Sequence, residues 1–114
     1  MANTFKLVTK AGVTSSDVIY TPDSVTTVIL GLILGNTTSS QVTATVSLAS
    51  TTSARAGDNN EANQTVELIT DAPIPAGSSL ELLAGNKVVM ENNDALSVSA
   101  SGSTDVDLSI MEIS

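Results

Sequence analysis

The sequence predicts an all-β protein: one antiparallel β-sandwich of about eight strands, in a jelly-roll or immunoglobulin-like arrangement. Apolar and polar residues alternate with a period of two in many windows, and almost no window has helical spacing. Valine, isoleucine and threonine are abundant and favour strands, because branching at Cβ fits a pleated surface. Turn-forming clusters of Gly, Asn, Asp, Ser and Pro separate these windows at intervals of about 8–12 residues, which is typical of sandwiches and barrels.

We expect residues 1–114 to form a single domain, because the chain has 114 residues and no internal repeat at a fixed period. A chain of this length can bury roughly 65% of its unfolded surface, which is enough for a core without disulfides. That core must be aliphatic, because the only aromatic residues are Phe5 and Tyr20. Residues 1–10 are a candidate N-terminal arm that would contact a neighbouring molecule, with Phe5 as its aromatic anchor.

Four strands are predicted in the first half of the chain, at residues 5–9, 17–21, 25–34 and 41–49. The clearest is the fourth, QVTATVSLA, in which valine, alanine and leucine alternate with threonine and serine. One face of this strand therefore lies in a core, and the other carries hydroxyl groups into water. The turns Thr-Pro-Asp at 21–23 and Gly-Asn at 35–36 separate these strands.

Five more strands are predicted at residues 64–70, 79–83, 87–91, 96–100 and 106–110. The turns between them are rich in Pro, Gly, Asn and Asp, at 72–77, 85–86 and 92–94. In the last strand, Val106, Leu108 and Ile110 alternate with polar residues, but the pattern slips at Met111, and Ile113 falls on the opposite phase. Either a bulge or burial of both faces would explain this slip.

The most hydrophobic part of the chain is the run VILGLIL at residues 28–34. Strict alternation places four of its residues on one face: Val28, Leu30, Leu32 and Leu34. The other face then carries Ile29, Gly31 and Ile33, and Gly31 suits a bulge or a close approach of backbone. A strand that is apolar on both faces must be covered on both. The second cover is either the chain's own N-terminal segment and loops, or another subunit.

The candidate interface residues follow from this reasoning, together with the long polar loop at 49–63, which either is simply flexible or contacts a partner. They are Phe5, Ile29, Gly31, Ile33, Arg55, Met111 and Ile113.

Composition excludes several functional classes. Four cations stand against twelve carboxylates, for a net charge of −8, which disfavours nucleic acid and anionic membranes as partners. Histidine and cysteine are absent, so Ser-His-Asp and Cys-His catalysis and thiolate metal sites are excluded. We expect no catalytic residues and no cofactor.

Two acidic clusters, at residues 58–61 and 91–94, contain the oxygen ligands that calcium prefers, although such residues are also common in simple turns. Two Asn-x-Thr triplets, beginning at Asn36 and Asn63, match the glycosylation pattern. We expect them to be coincidental, because the N-terminus does not resemble a signal peptide.

The chain resembles a group of small virion structural proteins of tailed bacteriophages, especially marine and cyanobacterial phages. The resemblance extends from Met1 to Ser114. It is carried by the start MANTFK, the Tyr-Thr-Pro corner at 20–22, the segment TTVILGLILGNTTSSQVTATV, the segment APIPAGSSLELLAGNKVVMENNDALSVSAS and the ending DVDLSIMEIS.

This resemblance implies a non-enzymatic β-sandwich that is made in the host cytoplasm and assembles onto the virion. The favoured role is a capsid decoration (cement) protein, a homo-oligomer and most simply a trimer, bound to the major capsid protein or another virion protein. The alternatives are a neck, tail or fibre-associated component, or a receptor- or glycan-binding module. The scarcity of aromatic residues argues against sugar recognition.

Overall fold

The computed structural model describes residues 3–51, 63–83 and 87–113, and within them the chain forms nine β-strands and no helix. The strands are β1 (Asn3–Val13), β2 (Ser16–Tyr20), β3 (Thr26–Asn36), β4 (Val42–Ala49), β5 (Thr65–Ile74), β6 (Ser79–Leu82), β7 (Val88–Met90), β8 (Ala95–Ala100) and β9 (Thr104–Ile113). Each predicted strand overlaps one of these nine. The predicted antiparallel β-sandwich is confirmed.

The strands form two antiparallel sheets. The first sheet has the order β1-β9-β3-β6, with β7 also paired to β3, and the second sheet has the order β2-β8-β4-β5. Each connection crosses between the sheets except those from β4 to β5 and from β6 to β7. Because β6 and β7 pair with successive parts of β3, they occupy the place of one interrupted strand. The resulting order is that of an eight-stranded jelly roll, so the topology decides between the two predicted arrangements.

The core lies between the two sheets and is aliphatic, as composition requires. In β4, Val42, Ala44 and Val46 are buried and the threonine residues are partly exposed, as predicted, whereas Leu48 is only half-buried. The large apolar side chains with the deepest burial come from both sheets: Val13, Ile29, Leu32, Leu34, Val46, Ile74, Met90, Leu96, Val98, Leu108 and Ile110.

A β-bulge in β3 changes the faces of the hydrophobic run. Ile29 pairs with Ile110 and Gly31 pairs with Ser109, so Leu30 is an extra residue on the β3 side. Before the bulge Thr27 and Ile29 face the core, and after it Leu32 and Leu34 do. The predicted grouping of Val28 and Leu30 with Leu32 and Leu34 is therefore wrong, because it assumed unbroken alternation. β9 itself has no bulge at Ile110–Met111, because it pairs with β1 in unbroken register from Ile113 to Val106; Met111 and Ile113 are apolar residues on its outer face.

The N-terminal segment is an edge strand in the first sheet. Residues from Asn3 to Lys10 pair in unbroken register with β9, from Ile113 to Val106. The structure therefore places residues 3–10 of the candidate arm inside the sheet, beside β9 rather than across the outer face of β3.

A polar network connects the two sheets at one end of the sandwich. The hydroxyl of Tyr20, on β2, donates to Oε2 of Glu112, on β9, at 2.6 Å and lies 2.7 Å from the Thr27 hydroxyl. The other carboxylate oxygen of Glu112 lies 2.8 Å from Nζ of Lys6. The hydrogen bond from Lys6, and then that from Tyr20, lowers the pKa of Glu112. Burial, and then the bond to Glu112, raises the pKa of Tyr20 to about 12.

A buried asparagine connects the sheets at the other end of β3. Nδ2 of Asn36 donates to the carbonyl oxygens of Ser40, Ile74 and Pro75, at 2.8, 2.9 and 3.2 Å. Its Oδ1 accepts from the backbone N–H and the hydroxyl of Thr38, both at 2.8 Å. Because this amide is buried and fully bonded, Asn36 has a structural role, which agrees with the expectation that its Asn-x-Thr triplet is coincidental.

Candidate interaction surface

The outer faces of the two sheets differ in chemistry. The register of the second sheet brings Thr45, Ser47, Ser97 and Ser99 together on its outer face, where Val18 is exposed. Val66 of the same sheet is also exposed, by 55%, but it pairs with Leu48 and so lies on the inner side of β5. The first sheet instead exposes large apolar side chains from several strands on its outer face: Phe5 by 70%, Leu7 by 64%, Val89 by 59% and Ile33 by 40%. Soluble proteins expose such side chains singly, whereas grouped ones indicate a binding surface.

Strand pairing aligns four of the outer residues in one row. Phe5 pairs with Met111, Met111 with Val28, and Val28 with Val89. Paired residues of neighbouring strands project from the same side of a sheet, so this row crosses β1, β9, β3 and β7. We call these four residues, with Leu7, Ile33 and Ile113, the apolar face.

Ile33 stands between two shallow depressions in the outer surface of β3. One, of about 100 Å³, is lined by Leu30, Gly31 and Ser109, among others. The other, of about 300 Å³, is lined by residues that include Gly35 and Thr9. A Cβ added to Gly31 would meet no atom within 4 Å. Gly31 therefore lies at the bottom of an open depression, where a side chain of a partner protein has room to pack.

Carboxylates border the apolar face near Ile33 and Gly35, at the opposite end of β3 from Val28. Asp107 pairs with both Thr9 and Ile33, and Ile33 pairs with Glu81 on β6. Asp105 follows beside Gly35, and one of its oxygens accepts a hydrogen bond from the backbone N–H of Gly12 at 3.0 Å. The surface therefore has an apolar end and an anionic end.

The structure brings five of the seven candidate interface residues to the outer face of the first sheet: Phe5, Gly31, Ile33, Met111 and Ile113. Ile29 does not join them, because it is fully buried in the core. Arg55 lies outside the described residues. The part that these residues play in binding stays a prediction.

Three residues of this surface were missed by sequence reasoning. Leu7 has the same strand phase as Phe5, and that phase could have identified it. Val28 was assigned to the wrong face because the bulge at Leu30 was not placed. Val89 lies in a strand of only three residues, too short for alternation to define its face.

The acidic cluster at residues 91–94 uses its oxygens to hold a turn. Asp94 accepts from the backbone N–H groups of Glu91 and Thr51, each at 3.0 Å. Oδ1 of Asn92 accepts from the backbone N–H of Ser24 at 2.7 Å. Across residues 3–51, 63–83 and 87–113, no three acidic side chains converge as a metal site would require. The cluster at 58–61 lies outside the described residues.

None of the described segments is a helix with the length and hydrophobicity needed to span a membrane.

Comparisons with known proteins give likenesses of shape only. No protein-family model and no curated protein matches the sequence. Among solved structures, the chain is similar to one from Bacillus endospore appendages, a family of disulfide-linked pili, with 12% identity and a TM-score of 0.45, over 96% of this chain and 85% of that one.

Two further similar structures come from infectious bursal disease virus. A chain of the Gx strain has 12% identity and a TM-score of 0.38, over 98% of this chain and 37% of that one. A chain of the T13 viral particle has 10% identity and a TM-score of 0.39, over 96% and 35%. The present chain thus spans little more than a third of either viral chain.

Proposed function

We propose that this protein is a non-enzymatic structural component of a bacteriophage virion, and that it docks on the particle through the apolar face. The most specific form of this proposal is a capsid decoration protein bound to the major capsid protein. The observation that carries it is the difference between the two outer faces, one apolar and one rich in hydroxyl groups.

Burial of the apolar face supplies the binding energy in this proposal. Full burial of one large apolar side chain is worth roughly 1.5–3 kcal/mol, and Phe5, Leu7 and Val89 are each more than half exposed. The residues lie on four paired strands, so a partner meets a preformed surface and loses little conformational entropy on binding.

Charge indicates what the partner surface is like. The apolar face is bordered by Asp105, Asp107 and Glu81, in a chain whose net charge is −8. Complementary interfaces place opposite charges together, which speeds association and rejects wrong partners. The surface that fits is an apolar patch with basic residues along one side.

The chemistry of the chain supports a structural role. Histidine and cysteine are absent from the whole sequence, and the aromatic side chains that usually form a sugar platform are limited to Phe5 and Tyr20. The Tyr20 hydroxyl is already bonded to Glu112. A glycan-binding module would therefore have Phe5 as its one exposed aromatic side chain.

Two valines provide a matched test, because Val89 and Val18 are both 59% exposed but lie on opposite sheets. Expanded capsids of the encoding phage, stripped of this protein, are incubated with the wild type, Val89→Asp or Val18→Asp, and binding is measured by co-sedimentation. We expect stoichiometric binding of the wild type and of Val18→Asp, and at least a tenfold loss of affinity for Val89→Asp.

Two results would contradict the proposal. One is equal binding by the two variants, which would exclude the apolar face as the docking surface. The other is saturable binding to host glycans by a protein that ignores capsids, which would replace the virion role by receptor recognition. A low-resolution image of the labelled virion distinguishes the capsid from the neck, tail or fibre.

A further inference from the structure

The first sheet ends at β1, and one side of this strand has no pairing partner among the described strands. β1 pairs with β9 alone, over eight consecutive residues from Asn3 to Lys10. All of these residues are exposed except Val8, which is half-buried. Such an edge presents a row of backbone N–H and C=O groups that can pair with a further strand.

The other sheet edges are unsuited to pairing. β6 and β7 have four and three residues, and β2 has five with a shift of register. β5 contains Pro73, a left-handed residue at Asp71 and two register shifts against β4. Short strands, bulges, prolines and charged side chains, lysine above all, are the usual means by which proteins block edge pairing. Before its bulge between Lys10 and Val13, β1 has only two of these features, Lys6 and Lys10, and the charge of Lys6 is paired with Glu112.

The edge of β1 is also open on its inner side. The register against β9 directs Thr4, Lys6, Val8 and Lys10 toward the second sheet. Thr4, Lys6 and Lys10 are nevertheless exposed, so the second sheet covers this part of the strand only at Val8, which packs against the core. An approaching strand can therefore reach β1 without displacing any described segment.

We propose that two copies of this protein pair through β1, antiparallel about a twofold axis at Leu7, so that their first sheets form one continuous sheet. The proposal does not depend on the virion role. Because the contact is the same patch on both copies, it closes at a dimer, which departs from the trimer favoured by the sequence.

The lysines select this register. Paired residues must project from the same side, so outer residues of one copy pair with outer residues of the other. Moving the twofold axis to Lys6 places Lys6 opposite Lys6, and moving it to Val8 places Lys6 opposite Lys10. Both registers are disfavoured, because like charges directly opposite each other are destabilising. The register centred on Leu7 places Lys6 opposite Val8 and Lys10 opposite Thr4. A further shift, centred on Phe5, shortens the paired segment.

This register also extends the apolar face. Leu7 meets Leu7 at the axis, and Phe5 lies opposite Thr9 of the partner subunit. Leu7 and Phe5, two of the most exposed apolar side chains, are thus partly covered where the two β1 strands meet. Val89, at the far side of the first sheet, stays exposed. Pairing through the edge leaves the rest of the apolar face available.

Cysteine substitution tests the register, because the natural chain has no cysteine. Opposite Cα atoms in an antiparallel pair are about 4.5–5.5 Å apart, within the range that a disulfide spans. Under mild oxidation we expect Leu7→Cys to form a disulfide dimer. Phe5→Cys and Thr9→Cys should each stay uncrosslinked, because their equivalents are four residues, or about 14 Å, apart. A mixture of those two variants should crosslink.

Sedimentation velocity of the unmodified protein provides an independent measurement, from low-micromolar to near-millimolar concentration and without capsids. We expect a reversible dimer, abolished in Leu7→Lys and retained in Val89→Asp, with unchanged circular dichroism in both. A wild type that stays monomeric over this range would overturn the proposal. The proposal would also be overturned if Phe5→Cys, on its own, formed a disulfide dimer as fast as Leu7→Cys does. Neither result bears on capsid binding, so the two proposals fail separately.

Discussion

The phenolic oxygen of Tyr20 lies 2.6 Å from Oε2 of Glu112, and this hydrogen bond joins β2 of one sheet to β9 of the other across 92 residues of chain. A phenol has one proton, which here goes to the carboxylate. The Thr27 hydroxyl, 2.7 Å away, therefore donates to the Tyr20 oxygen. Thr27 is fully buried, so Tyr20 satisfies a hydroxyl group that water does not reach.

Replacing Tyr20 with Phe should lower the free energy of unfolding by about 1–3 kcal/mol, because it leaves the Thr27 hydroxyl buried without its acceptor. Urea denaturation measures this change. The double variant Tyr20→Phe/Thr27→Val is the control: its loss should be smaller than the sum of the two single losses, because removing both partners leaves no buried group unsatisfied. Additive losses would show that the two hydroxyls are not coupled.

The same network predicts how stability depends on pH. The pKa of Glu112 is lowered in the folded state, so its contribution is present above the ordinary carboxyl pKa of 4.5 and is lost as the pH falls below it. The pKa of Tyr20 is raised from 10.0 to about 12, so its contribution is complete below pH 10.0 and is lost as the pH rises toward 12.

The urea midpoint, measured across the pH range, checks both limbs. Glu112→Gln should flatten the acid limb, and Tyr20→Phe should flatten the alkaline limb. If the urea midpoint of Glu112→Gln changed with acid pH as it does in the wild type, and that of Tyr20→Phe did so at alkaline pH, then Glu112 and Tyr20 would not be the groups responsible.

Aspartate at Ile29 and at Ile33 should give different results, although both residues lie in the hydrophobic run. Ile29 is fully buried, so Ile29→Asp places a charge in the core and should prevent folding. Ile33 is 40% exposed beside Asp107 and Glu81, so Ile33→Asp should fold with a loss of about 1 kcal/mol and bind capsids poorly. Circular dichroism and capsid co-sedimentation separate the two effects. Normal capsid binding by folded Ile33→Asp would argue against the apolar face.

Substitutions of the threonines on β4 should also differ. The sequence predicts that Thr43→Asp and Thr45→Asp are both tolerated. In the structure the Thr45 hydroxyl accepts from the backbone N–H of Asp71 at 3.0 Å, where Asp71 has a left-handed φ of 47°. A carboxylate at Thr45 would lie beside that of Asp71. We expect Thr45→Asp to lower the melting temperature and Thr43→Asp to leave it nearly unchanged. Equal effects would contradict this role of Thr45.

Asn36→Asp should be among the most destabilising single substitutions, at about 3–5 kcal/mol, because a buried carboxylate would face the three carbonyl oxygens that Nδ2 now contacts. Thr37→Ala is the matched control. Thr37 is the next residue, is exposed, and donates to Ser103 at the surface, so its loss should stay within about 1 kcal/mol. Thermal denaturation measures both. Similar losses would contradict the role given to Asn36.

The strands were predictable because period-two alternation follows directly from burial of one face. The faces of β3 were not, because one extra residue reverses the phase, and the sequence marks that position only by Gly31 beside it. The contacts of Glu112 with Tyr20 and Lys6 join residues far apart in the chain, and no local pattern reports them. Five of the predicted interface residues lie on one surface. This was predictable because, in a strand whose alternate residues face the core, the residues between them must lie on the outer face.

The extra residue at Leu30 determines which positions of β3 can be redesigned without disturbing the core. Positions 26 and 28 point away from the interior ahead of the kink, whereas beyond it the outward positions are 31, 33 and 35. A mutagenesis library built on a single parity would randomise the surface in one half and the interior in the other. Deleting Leu30 would instead give β3 one continuous frame, in which residues 27, 29, 32 and 34 still face the interior and residues 28, 31 and 33 still face outward.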